Sequence, residues 1–123
     1  MIRLRLAAAL VGLISVPAFG YGAIAIDQKS TSIQPGYGYS KGQPDQATAE
    51  RVAKQFCDKY NPNGECKTIM WFKTCGAYVN SEGYYGYGYG DTKTDAINSA
   101  LEQCNPEAGA CKLVIAACDD DPN

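Results

Sequence analysis

The stretch Gly36-Tyr37-Gly38-Tyr39 returns later in the chain as Gly86-Tyr87-Gly88-Tyr89. What surrounds it returns too. Tyr21-Gly22-Ala23 precedes the first copy and Cys75-Gly76-Ala77 the second. An alanine-spaced stretch ending at Cys57 follows the first, and one ending at Cys104 follows the second. Each copy then closes with a short apolar run held between two cysteines, Cys66 to Cys75 and Cys111 to Cys118. An internal repeat makes each copy one supersecondary unit and constrains the fold more than local propensity does.

Read copy by copy, the residues specify strand, strand, helix, strand. In the first copy Gly22–Ile26 is small and apolar, a first strand. Asp27–Pro35 is a polar loop ending in the turn pair Pro35-Gly36, and Gly36–Ser40 is a second strand. Asp45 reads as an N-cap for a helix from Gln46 to Cys57. Ala49, Val52, Ala53, Phe56 and Cys57 recur at helical spacing and form one apolar face. Thr68–Lys73, with Ile69, Met70, Trp71 and Phe72, is apolar enough for a central strand. In the second copy Gly76–Val79 and Tyr84–Tyr89 flank the turn Asn80-Ser81-Glu82-Gly83. Thr92-Lys93-Thr94-Asp95 resembles a capping box with Asp in the Glu position. The helix it opens has an apolar face of Ala96, Ile97, Ala100, Leu101 and Cys104, and Leu113–Ala117 is the last strand. The expected fold is α+β: two pseudo-symmetric β-β-α-β repeats (21–75 and 76–118) forming a mainly antiparallel sheet, with two helices on one face and disulfide staples.

The first twenty residues stand apart. Arg3 and Arg5 form a basic start, Leu6–Val16 is an apolar run too short to span a bilayer comfortably, and Pro17-Ala18-Phe19-Gly20 offers small residues for cleavage. Residues 1–20 are therefore expected to be a signal peptide, 21–118 one domain, and Asp119–Asn123 an acidic, solvated tail. The expected location is periplasmic or secreted, and no second hydrophobic segment suggests a membrane span.

Export governs the reading of the cysteines. All six lie beyond residue 20, an even number that in an oxidising compartment implies a disulfide framework. The chain has no histidine and no C-x-x-C pair, so no metal is expected. The runs Lys67–Thr74 and Lys112–Ala117 read as strands; extended, they would hold their flanking cysteines roughly 20–30 Å apart, beyond bridging distance. The runs Asp58–Glu65 and Asn105–Ala110 carry Asn, Pro and Gly and can turn back. This favours Cys57–Cys66 and Cys104–Cys111, and leaves Cys75 and Cys118 to pair across the repeats.

Catalytic chemistry finds little footing. Without histidine there is no Ser-His-Asp triad and no imidazole base. The run Gly86 to Thr94 lacks the glycine a phosphate loop needs before Lys93, and Gly88 and Gly90 are too close for a dinucleotide fingerprint. Glu82, Asp91 and Asp95 could supply a glycosidase-like carboxylate pair, but turn, strand-end and helix-cap roles account for all three. Without Arg3 and Arg5, nine of the eleven basic residues face thirteen acidic ones, a net charge of −4. With no basic stripe, nucleic acid is not an expected partner. No cofactor is expected.

The alternation of Tyr and Gly puts Tyr37 and Tyr39 on one strand face and Gly36 and Gly38 on the other, with Tyr85, Tyr87 and Tyr89 opposite Gly86, Gly88 and Gly90. One reason is packing: a glycine face admits an alanine-rich helix closely while the rings pair across strands. Another is recognition, since a tyrosine row can stack on a sugar or grip a protein. Tyr84, Tyr85, Tyr87, Tyr89 and Trp71 are the candidate binding residues, and Tyr84-Tyr85 and Trp71 are places where the copies differ.

The Tyr-Gly-Ala-Ile-Ala opening, the twin Gly-Tyr-Gly-Tyr strands, the alanine-rich helices ending in Cys and the Cys-Lys strands together resemble the DUF4189 family over Tyr21 to Cys118. The resemblance implies a small exported bacterial domain and carries over no catalytic residue. The longer Asp27–Pro35 loop and the wider cysteine spacing of the first copy depart from its pattern. The expected function is a non-enzymatic binding domain, an inhibitor or immunity-type protein with a protein partner in the envelope or outside the cell. The alternative is a carbohydrate- or peptidoglycan-binding module that uses the Tyr-Gly strands.

Overall fold

A computed structural model describes residues 20–30, 34–82, 84–104 and 110–121. The expected signal segment up to residue 19, Gly83 of the expected hairpin turn, and residues 105–109 between Cys104 and Cys111 lie outside these. The elements run β1 (Tyr21–Asp27), β2 (Tyr37–Gln43), α1 (Gln46–Tyr60), β3 (Cys66–Phe72), β4 (Cys75–Ser81), β5 (Tyr84–Gly90), α2 (Lys93–Gln103) and β6 (Lys112–Cys118). This is an α+β fold of two β-β-α-β units.

The strands divide into two antiparallel sheets of order β2-β1-β3 and β5-β4-β6, not one. Each sheet carries its own helix. Ala23 and Ala25 of β1 pack against Ala49, Ala53 and Cys57 of α1. Ala77 and Val79 of β4 pack against Ala96, Ala100 and Cys104 of α2. The intervening residues point the other way: Ile24, Ile26, Met70 and Phe72 of the first sheet meet Tyr78 and Ala117 of the second. The order of layers is thus helix, sheet, sheet, helix, because period-two alternation gives every central strand two apolar faces. The expected placement of both helices on one face does not hold, since each half needs its inner sheet face covered and the other half covers it.

Phe72 is fully buried between the sheets, where its ring lies over Gly22 and Gly76; a Cβ at either would come within about 2.4 Å of it. Both glycines belong to the repeated x-Gly-Ala motif. The halves share a further detail: β1 slips register against β3 at Ile24/Ala25, and β4 against β6 at the equivalent Tyr78/Val79.

Helix α1 begins where its cap dictates, with the Asp45 carboxylate accepting from the Thr48 N–H at 2.8 Å. It runs one turn beyond Cys57 to Tyr60, supported by the Lys54–Asp58 pair at 2.8 Å, and stops where Asn61 precedes Pro62. Thr92 caps α2 by accepting from the Asp95 N–H at 3.1 Å.

Three disulfides close Cys57–Cys66, Cys75–Cys118 and Cys104–Cys111. The first and third tie a helix end to the next strand. The second does not join the repeats. Cys75 opens β4 and pairs directly with Cys118 of β6, so this bridge lies within the second sheet. Cys75 is the structural counterpart of Tyr21, and the repeats divide at the Lys73-Thr74 link.

Candidate ligand-binding surfaces

The glycine face of each edge strand is a seat for a helix. A Cβ on Gly38 would lie 2.2 Å from the Cys57 backbone nitrogen, and one on Gly86 2.2 Å from the Ala100 carbonyl oxygen. Gly38 pairs with Ala25, and Gly86 with the equivalent Val79. Gly38 therefore matches Gly86, two residues off the match that the letters suggest, and Tyr39 matches Tyr87. The register follows the helix seat, not the spelling of the motif.

The five candidate binding residues do not form one site. Tyr84, Tyr85 and Tyr87 line a cleft of about 450 Å³ at one end of the inter-sheet space, with Tyr78 at its base and Asp27, Lys67 and Glu82 among its polar groups. Tyr85 stacks on Tyr78 (5.9 Å between centroids, 27°) and on Tyr87 (6.5 Å, 15°), yet remains 58% exposed. Burial, helped by the neighbouring Tyr85, pushes the Tyr78 phenol up to about 12. Tyr89 and Trp71 line a separate cleft of about 390 Å³ with Lys73 and Asp91. There Trp71 leans on Tyr21 (5.9 Å), whose other neighbour is the Lys73 ammonium 4.7 Å from the ring centroid.

Glu82 stands apart from the other two candidate carboxylates, whereas Asp95, in the first turn of α2, lies against Gly90 beside Asp91. Glu82 precedes β5 and Asp91 follows it, so seven strand residues, roughly 20 Å, separate them. That exceeds either glycosidase spacing. Asp27 accepts from the Lys29 and Glu65 N–H groups (3.0 and 2.9 Å) and shapes a turn. Asp119 and Asp121 are not a loose tail. Asp119 accepts from the Gly42 N–H (2.7 Å), Asp121 accepts from the Cys118 N–H (2.8 Å) and pairs with Lys93 (3.2 Å), and Lys41 donates to the Asp121 carbonyl. The Cys118 amide, opposed by partial burial and aided by Lys93, holds the Asp121 carboxyl below the usual carboxylate range. The Cys118 sulfur beside these acids is in a disulfide, so the group is no thiolate metal site.

A wider groove lies elsewhere. About 710 Å³ opens along the outer edge of β2, lined by Tyr37, Gly38, Tyr39, Val52, Phe56 and Tyr60 among others. Helical spacing puts Val52 and Phe56 on the apolar helix face expected to be buried. Only Ala49, Ala53 and Cys57 are buried, because a helix seated on glycine and alanine sinks close and buries a narrow stripe. Phe56 is 42% exposed, and the added helical turn brings in Tyr60 at 67%. The i, i+4, i+8 spacing of Val52, Phe56 and Tyr60 was the signal available in the sequence.

The family description "Domain of unknown function (DUF4189)" matches residues 21–118, both repeats and all three bridges. The chain belongs to the DUF4189 family. This DUF4189 chain is also similar to a solved structure, the NMR structure of Rv1813c from Mycobacterium tuberculosis, at 27% identity and a TM-score of 0.52, over 86% of this chain and 80% of that one. No curated protein matches the sequence. Among the described residues of this DUF4189 domain, no helix is long and apolar enough to cross a membrane.

Proposed function

We propose that this DUF4189 domain is an exported, non-enzymatic binding protein that acts on another protein in the cell envelope or outside the cell, as an inhibitor or immunity-type protein would. The observation that carries this reading is the Tyr78-Tyr85-Tyr87 stack: an aromatic ladder fixed by strand pairing, with its middle ring offered to solvent. Rigid tyrosines contribute large contact area at low entropic cost and are enriched at protein interfaces. The separation of Glu82 from Asp91 and the bridged cysteines support a binding role over turnover. Cross-linking capture from periplasmic extract is expected to recover a protein partner. The Tyr85→Ala variant is expected to lose at least tenfold in affinity, as a central aromatic contact does. Recovery of no partner, or undiminished capture by the variant, overturns the reading.

A second reading is favoured by the same cleft, whose ring faces sit among the polar groups Asn80, Glu82 and Lys67. That mixture suits a sugar ring. Co-sedimentation with purified peptidoglycan that is lost in Tyr85→Ala would support it; sedimentation unchanged by that substitution would remove the tyrosines from it.

A further inference from the structure

Among the described residues, the outer edge of β2 carries no cap of the kind that closes its twin. Asp27 donates its N–H to the Gly36 carbonyl at 2.9 Å. By antiparallel alternation Gly38 and Ser40 then turn their backbone groups toward β1, and Tyr37 and Tyr39 turn theirs away from the sheet. In the second half the matching outward group is the Tyr87 N–H, and it donates to the Gln103 side-chain oxygen at 3.2 Å. The α1 residue in the place of Gln103 is Phe56, since Cys57 matches Cys104. Phe56 has no acceptor to offer. One half caps its own edge; the other sets an apolar stripe of Val52, Phe56 and Tyr60 beside it. An open strand edge is a template for another strand.

We propose that this edge is the interface of a two-fold homodimer, in which β2 pairs antiparallel with β2 of a second copy and α1 packs against its symmetry mate. The geometry favours a copy of this chain over an unrelated strand because two separate surfaces close on one axis. A two-fold through Tyr39 sets Tyr39 against Tyr39 and Tyr37 against Lys41. Phe56 stands at the level of Tyr39, as Gln103 stands at Tyr87, so the same axis brings the two Phe56 rings together and sets each Val52 toward the other copy's Tyr60. The heights agree as well. Helix α1 rests on Ala23 and Ala25 of β1 and on Gly38 of β2, about half a strand spacing inside the edge. Strands pair about 4.8 Å apart, which leaves the two helices roughly 10 Å apart, a normal packing distance.

Charge and area agree with this occupant. Among the described residues Lys41 is the one charged side chain lining the groove, and the axis sets it opposite an uncharged Tyr37. Tyr37 and Tyr39 are each 38% exposed; with Phe56 and Tyr60 they leave on the order of 350 Å² of ring surface uncovered per copy. Val52 and the strand edge bring this near the roughly 600 Å² per partner at the low end of specific interfaces.

The test uses residues 21–123 with the bridges intact. Sedimentation equilibrium from about 1 μM to about 1 mM is expected to show a monomer–dimer equilibrium. Phe56→Gln, which copies the cap of the second half, is expected to weaken association at least tenfold. Tyr39→Pro removes an outward N–H together with the ring that the axis sets on its mate, at a position where an edge strand tolerates proline, and is expected to abolish it. Circular dichroism establishes that both variants are folded. Amide exchange is expected to protect the Tyr39 N–H only at concentrations where the dimer forms, and the Tyr87 N–H at all concentrations. Monomer mass across the range, a dimer that survives both substitutions, or a Tyr39 amide protected only by an added extended peptide overturns the proposal. Tyr85→Ala lies on the other sheet and is expected to leave the dimer mass unchanged, so failure of the proposed binding function and failure of this dimer read out separately.

Discussion

Tyr78 shows how one residue serves packing and surface together. Its ring is buried between the sheets while it forms the base of the Tyr85 cleft. Burial raises its phenol from 10.0 to about 12, so the folded protein holds this proton more tightly than the unfolded chain does. The stability from the neutral phenol is complete below pH 10 and is lost as pH rises through the interval from 10 to about 12. Phenolate absorbance is expected to show a step near pH 12 in the wild type that is absent from Tyr78→Phe, and the variant is expected to lose less stability over that interval. The role of this residue is hidden in the sequence, where Tyr78 sits in a short strand without the Tyr-Gly pattern. The neighbours Tyr85 and Tyr87 were found because alternation alone places them on one face.

At the scale of elements, the helix seat decides the register. Gly38 and Gly86 each admit backbone from the helix above, so no side chain fits there. Gly38→Ala is expected to cost roughly 2–3 kcal/mol in chemical denaturation, the usual penalty for overpacking, because the group in the way is backbone and cannot rotate aside. Strand and helix identities were legible in the sequence because alternation and helical spacing are local, and so were the caps at Asp45 and Thr92. The extent of β2 was not. The strand continues past Ser40 to Gln43, held at Lys41 and Gly42 by the C-terminal turn, a contact between distant parts of the chain. The groove on α1 escaped for a related reason: periodicity marks Phe56 as apolar but does not say how wide a stripe the sheet will cover.

Across the whole molecule, covalent and apolar staples divide the work. The pairing of cysteines could be reasoned from which intervening segments turn back, and the structure closes those three pairs. The Cys75–Cys118 bridge encloses the longest loop, a sequence separation of 43, and its removal as Cys75→Ala/Cys118→Ala is expected to cost about 4 kcal/mol in the chain-entropy model. Removal of Cys57–Cys66, with a separation of 9, is expected to cost about 2.5 kcal/mol, and urea denaturation of the two double variants ranks them. That the strands would split into two sheets was not legible, because apolar residues on both faces of β1 and β4 call for cover on each side without saying what supplies it. What joins the halves is the apolar layer around Phe72 and the Asp119–Asp121 turn on β2. The layer has a consequence for ancestry. A solitary β-β-α-β chain would show Ile24, Met70 and Phe72 to water on its naked side, and a second chain of the same kind is the natural cover. Duplication, with Lys73-Thr74 as the splice, would turn such a meeting of two molecules into one chain's internal contact, independent of concentration and free thereafter to let its halves diverge, as Phe56 and Gln103 have done.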